Sequence, residues 1–91
     1  MAATYTLYGH YASQPARAVL WALNSHHQLF KFVELDPSRG QTRTPEFLKI
    51  NPAGGVPTLV ETSPKGDTFV LSESAAILSY LAEKHQWKVR H

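Results

Sequence analysis

Three short segments and the histidines hold the residue types that could do chemistry. Ser13-Gln14-Pro15 sits where a first strand would meet a first helix. A helix N-terminus carries unpaired N–H groups and a partial positive charge, so it stabilises an anion. A hydroxyl there can donate to a bound anion, a ligand thiolate included. It can equally serve as a plain helix cap, the commonest use of Ser at that position. Gly54-Gly55-Val56-Pro57 is the second segment. Paired glycines ahead of a strand-opening proline imply an unusual backbone or a close approach by a ligand. A cis Val56–Pro57 bond would present the Val56 N–H and C=O to an extended peptide; the alternative is an ordinary loop. Ser72-Glu73-Ser74 is the third. It reads as a helix cap with an acid in the first turn. It also reads as a site for a zwitterion, with Ser74 and the helix N–H groups on a carboxylate and Glu73 on the neighbouring ammonium.

The histidines point to no metal. His26 and His27 are adjacent, so they face different ways, and His10, His85 and His91 fall at no usable ligand spacing. The sequence also lacks a phosphate loop, a dinucleotide fingerprint and a nucleophile elbow.

The elements that must position these residues follow from periodicity. Thr4–Tyr8 alternates and is β-prone, and Gly9 closes it. Ser13 and Pro15 open a helix that runs through Leu23 and ends at Asn24–His27. Phe30–Leu35 alternates again. Strand–helix–strand order implies a parallel pair with a right-handed crossover. Asp36–Gln41 reads as a loop. Thr44 and Pro45 start a short helix to Ile50, and Asn51–Gly55 breaks the chain. Pro57–Thr62 and Thr68–Leu71 flank a turn at Ser63–Asp67 and read as a hairpin. A last helix starts near Ser72–Ser74 and ends near His85, with Ile77, Leu78 and Leu81 as its buried stripe. A parallel unit followed by an antiparallel one gives an α/β fold with a mixed four-stranded sheet and about three helices on both faces.

Composition bounds the rest. The chain has 91 residues, 43% of them hydrophobic and 18% charged, which suits one small folded domain rather than a disordered tail. It has no cysteine, which excludes disulfide scaffolds, Cys-type zinc sites and any chemistry run by a protein-borne thiol. The net charge is +2, but the basic residues are scattered along the chain, so no nucleic-acid face is expected. The longest apolar run, Ala18–Leu23, is far too short for a membrane span. Nothing at the N-terminus resembles a secretory signal, so a cytoplasmic protein is expected.

Taken in order, these segments resemble the N-terminal, thioredoxin-like domain of the cytosolic glutathione transferases. The resemblance runs over about residues 4–87 and rests on Thr4–Tyr8, Ser13-Gln14-Pro15-Ala16-Arg17-Ala18-Val19, Glu46-Phe47 with Asn51-Pro52, Val56-Pro57-Thr58-Leu59, and Glu73-Ser74 with Ala76-Ile77 and Tyr80-Leu81. The Ser-Gln-Pro segment looks most like the serine-type, theta-like members. The resemblance implies a thioredoxin-like βαβ-α-ββα domain at 1–87, with 88–91 the start of a linker to an all-helical domain. It implies a cis Val56–Pro57 bond, with the Val56 backbone pairing with the cysteinyl residue of glutathione. Glu73 and Ser74 would take the γ-glutamyl end, and Ser13 would donate to the thiolate, as the catalytic group. Gln14 and Arg43 join the glutathione contacts. Gly55 stands where many relatives carry a Lys or Gln, which leaves Arg43 as a substitute partner for the glycyl carboxylate. Tyr8 and Tyr11 are rival hydroxyls. The implied function is transfer of glutathione, the cosubstrate, to a small electrophile, in a protein that is a homodimer when full-length. The alternative is a non-catalytic interaction module of the kind found in translation factors and synthetase assemblies.

Overall fold

The computed structural model describes residues 2–87. The expected linker start at 88–91 lies outside them. Strand β1 (Thr4–Gly9) alternates, with Tyr5, Leu7 and Gly9 buried on one face and Thr6 and Tyr8 half-buried on the other. Helix α1 (Gln14–Ser25) carries the chain over to β2 (Lys31–Glu34), which pairs parallel to β1. Helix α2 (Pro45–Ile50) follows, capped by Thr44, whose Oγ1 accepts the Phe47 N–H at 3.3 Å. Strands β3 (Thr58–Thr62) and β4 (Thr68–Ser72) form the hairpin, and helix α3 (Ser74–His85) comes last. The sheet order is β2-β1-β3-β4, with β3 antiparallel to both neighbours. This is the mixed four-stranded, three-helix arrangement that the sequence implied.

The helices divide between the faces. Leu7 and Leu59 from the sheet meet Val19 and Leu23 of α1 and Ile77 and Leu81 of α3, and together with Tyr5 they form the core. Each fully buried aliphatic side chain of this kind contributes about 1.5–3 kcal/mol relative to exposure. On the opposite face Tyr8 packs on Phe47 of α2, with ring centroids 5.5 Å apart. Gly9 lets α1 sit close on the sheet. A Cβ there would lie 3.0 Å from the Ala16 Cβ and 3.3 Å from the Phe32 ring.

One stretch differs from the sequence reading. Asp36–Gln41 is not a plain loop: 3₁₀ turns form at Pro37–Arg39 and Gln41–Arg43. The Asp36 carboxylate accepts the Ser38 N–H at 2.9 Å and its hydroxyl at 2.7 Å, which builds a local cap. Gly40 joins the two turns at a φ of +73°, in the left-handed region that favours glycine.

Candidate functional site

The strand register brings the expected site residues to one end of the sheet. Thr58 of β3 lies opposite Tyr8 of β1 and Ser72 of β4, and Gly9 lies opposite Glu34 of β2. At this end β1 leaves toward Ser13, the chain enters β3 from Val56-Pro57, β4 leaves toward Glu73-Ser74, and β2 leaves toward Asp36.

Ser13 is the N-cap of α1. Its N–H donates to the His10 carbonyl at 2.9 Å, and its Oγ accepts the Ala16 N–H at 3.4 Å. The two sequence readings of this residue are therefore compatible. A hydroxyl has two lone pairs and one proton, and capping uses only a lone pair. Among the described residues nothing accepts the Ser13 proton, so it is available to a ligand. Gln14 is exposed beside it as the first residue of α1.

The Val56–Pro57 bond is cis. Pro57 is buried and Val56 half-buried, and among the described residues no hydrogen bond uses the Val56 N–H or C=O. Asn51 holds the segment. Its Nδ2 donates to the Gly55 carbonyl at 3.1 Å and to Thr58 Oγ1 at 3.0 Å, while Thr58 Oγ1 donates to the same Gly55 carbonyl at 2.7 Å. Both Asn51 and Thr58 are buried. The sequence reading took Asn51 as part of a chain break and, with Pro52, as a mark of the resemblance, but gave its side chain no role. A buried amide seven residues before a buried Thr is the signal it lacked, and burial is not visible from spacing alone. Gly54 has a φ of +71°, and a Cβ there would lie 3.1 Å from the Thr42 carbonyl oxygen. The turn ending at Arg43 is thus packed against the Val56 segment, with Arg43 itself exposed.

At the third segment the sequence offered a cap with an acid in the first turn. The structure corrects this. Glu73 is itself the N-cap of α3, it makes no side-chain capping bond, and no acid lies in the first turn. Glu73 has a φ of +76° and a ψ of 120°, a backbone state that costs a non-glycine residue roughly 1–3 kcal/mol. Ser74 is the first helical residue and half-buried, and the N–H groups of the first turn receive no side-chain cap from Glu73.

The rival tyrosines have other engagements. Tyr8 packs on Phe47, and Tyr11 packs on Phe32 with centroids 4.9 Å apart. The Tyr11 N–H donates to Glu34 Oε2 at 3.3 Å, and its carbonyl accepts from the Arg17 guanidinium at 3.2 Å. His10, given no role from sequence, lies 3.7 Å from Asp36 Oδ2 and 4.0 Å from Glu34 Oε2. The Ser38 hydroxyl on Asp36 holds that carboxyl below its usual range. Among the described residues no group of three or more His, Cys, Asp or Glu could hold a metal ion, and no helix is long and apolar enough to cross a membrane. An open cleft of about 630 Å³ lies at the other end of the sheet, lined by residues 2–5 and 27–31. It includes none of the expected site residues.

Residues 7–88 match the family model described as Glutathione S-transferase, N-terminal domain. The chain is 42% identical over 79 residues to a zeta-class glutathione S-transferase of Euphorbia esula, covering 87% of this chain and 33% of that protein. It is 40% identical over 74 residues to human glutathione S-transferase theta-2, covering 81% and 28%. Zeta- and theta-class proteins are thus matched alike. The crystal structure of human glutathione transferase theta-2 in complex with glutathione and an unknown ligand superposes with a TM-score of 0.80 at 38% identity, covering 92% of this chain and 32% of that one. The chain therefore spans about a third of the length of these relatives. The sheet order, the cis Val56–Pro57 bond and these matches agree, and the chain belongs to the glutathione S-transferase N-terminal domain family.

Proposed function

We propose that this domain binds glutathione across the Ser13–Val56–Glu73 end of the sheet and stabilises its thiolate for attack on an electrophile. The convergence of three segments with unused hydrogen-bonding groups carries this reading: the Ser13 hydroxyl proton, the Val56 N–H and C=O, and the uncapped N-terminus of α3. Val56 would pair with the cysteinyl backbone. Ser74 and the α3 N–H groups would hold the γ-glutamyl carboxylate, and Glu73 the ammonium. Arg43 and Gln14, both exposed, would be contacts for the rest of the tripeptide.

A free thiol has a pKa of about 8.5 and is only a few per cent ionised at neutral pH. A hydroxyl donor and a helix N-terminus both favour the charged form. In our reading the site is of the serine type, with Ser13 as the donor, because its hydroxyl stands at the N-terminus of α1 with its proton unshared among the described residues and is followed by Gln14-Pro15, the segment that resembles the serine-type members. The thiol proton leaves to solvent. The sulfur lone pair then forms the S–C bond, and the leaving group departs with the electrons of the bond it breaks. The whole enzyme would be a cytoplasmic homodimer in which a second domain supplies most of the electrophile pocket. The test is glutathione titration followed by thiolate absorbance near 240 nm: a saturable rise at neutral pH is expected, and its absence at millimolar glutathione would refute the assignment.

A further inference from the structure

The turn that delivers Ser13 has a fastener whose charge changes near neutral pH. We propose that His10 is a positioning residue that works as a pH-sensitive latch: its charged ring, drawn between Asp36 and Glu34, fixes the turn from which Ser13 meets a ligand. What the latch does for glutathione rests on the site proposed above; the latch itself does not.

The Ser13 N–H closes this turn on the His10 carbonyl at 2.9 Å, so the backbone of His10 sets where the Ser13 hydroxyl stands. Three contacts hold the turn through the neutral range. The Tyr11 ring packs on Phe32 of β2, the Arg17 guanidinium donates to the Tyr11 carbonyl at 3.2 Å, and the Tyr11 N–H donates to Glu34 Oε2 at 3.3 Å. The fourth contact is the His10 ring. The Leu35 N–H donates to the Gly9 carbonyl at 2.8 Å, which extends the parallel β1–β2 ladder and brings Glu34 and Asp36 beside His10. The His10 Nε2 then lies 3.7 Å from Asp36 Oδ2 and 4.0 Å from Glu34 Oε2.

These distances are too long for hydrogen bonds and short enough for ion pairs. Two carboxylates attract an imidazolium and do little for a neutral ring. Carboxylates ionise near pH 4, whereas an imidazole changes charge between about pH 5 and 8. Across that range the change of charge at this cluster is therefore the ring's. The other charged groups here are cations: Arg17 on the Tyr11 carbonyl, and Arg39, 78% exposed, whose Nε lies 3.7 Å from Asp36 Oδ2. The clamp is thus present on the acid side and is lost as pH rises through the titration of the ring. The His10 and Asp36 side chains are 24% exposed and Glu34 45%, so solvent screens both pairs in part. Pairs of this kind carry about a two- to fivefold effect.

The test is hydrogen exchange of the Tyr11 and Ser13 amides in the free chain, read by NMR at about pH 5.5 and about pH 8 and corrected for intrinsic exchange. In the wild type both amides are expected to be about two- to fivefold better protected at the lower pH. His10→Gln should be flat at the weaker level. His10→Arg, whose charge is fixed, should be flat at the stronger one. Near-ultraviolet circular dichroism checks that each variant is folded. Glutathione affinity at the same two pH values should change by a similar factor in the wild type relative to His10→Gln, a ratio that removes the ionisation of glutathione itself. Equal protection of the wild-type amides at both pH values overturns the proposal, as does a folded His10→Gln variant that keeps the wild-type pH dependence. Protection that follows His10 in a chain that binds no glutathione upholds the latch and refutes the glutathione site.

Discussion

Replacing Ser13 by Ala separates the two uses of its hydroxyl. As a cap, the hydroxyl accepts the Ala16 N–H at 3.4 Å, a long bond. Loss of a Ser cap costs about 0.5–2 kcal/mol, and this geometry places Ser13 at the low end. As a donor to a thiolate, the same hydroxyl would make a hydrogen bond to a charged group, worth about 1.5–3 kcal/mol. That corresponds to about 1–2 pH units in the ionisation of bound glutathione, since one unit is about 1.4 kcal/mol. Ser13→Ala is therefore expected to lower stability by less than about 1 kcal/mol and to raise the bound thiol pKa by about 1–2 units. The assay is a pH titration of thiolate absorbance at saturating glutathione, beside urea unfolding of the free protein. Ser13→Thr keeps a hydroxyl and should restore most of the shift. Unchanged ionisation in Ser13→Ala, with glutathione still bound, would refute the serine assignment and return Tyr8 as the donor to test by Tyr8→Phe.

Other substitutions probe the supports of the site and the fold. Asn51→Ala removes the amide that ties Gly55 to Thr58, so it should cost about 1–3 kcal/mol in urea unfolding and weaken glutathione binding in the same titration. Glu73→Gly relieves the positive φ and should leave the fold as stable or up to about 1 kcal/mol more stable, yet glutathione affinity should fall; unchanged affinity would remove Glu73 from the site. Burial pushes the Glu61 carboxyl up, but hydrogen bonds from Lys84 at 2.8 Å and Tyr80 at 2.9 Å outweigh it and hold the group below its ordinary 4.5. Its contribution is present above that value and lost as pH falls through the lowered one, so Glu61→Gln should flatten the acid limb of stability against pH. Burial, reinforced by Glu61, pushes the Tyr5 phenol up to about 12. Between about 10 and 12 the unfolded chain releases this proton while the folded one keeps it, so stability should fall with rising pH there; Tyr5→Phe, followed by urea unfolding, should reduce that slope.

Much of this was legible in the residues. Strict alternation at Thr4–Tyr8, the Ser-x-Pro and Thr-Pro helix starts, and the turn between β3 and β4 each report a local preference, and the element order follows from them. The cis state of Val56–Pro57 came from family resemblance, because an X–Pro pair alone does not declare its isomer. What stayed hidden was set by tertiary contact. The Asn51–Gly55–Thr58 network depends on burial, which a single polar residue in a break does not reveal. Ser72-Glu73-Ser74 looked like an ordinary cap because cap statistics concern side chains, whereas the backbone here turns through a positive φ at Glu73. His10 meets Asp36 and Glu34 only because β1 and β2 pair in parallel, a juxtaposition that spacing along the chain does not encode.

The most direct test of the central claim is a glutathione titration of the chain followed residue by residue through its amide NMR signals. Saturable shifts are expected at Val56, Glu73, Ser74 and the Ser13 turn, with none at the opposite end of the sheet around Thr4 and Lys31. No shifts at millimolar glutathione, or shifts confined to that opposite end, would contradict a glutathione site built on Ser13, Val56 and Glu73 and would favour a domain that serves only protein contacts.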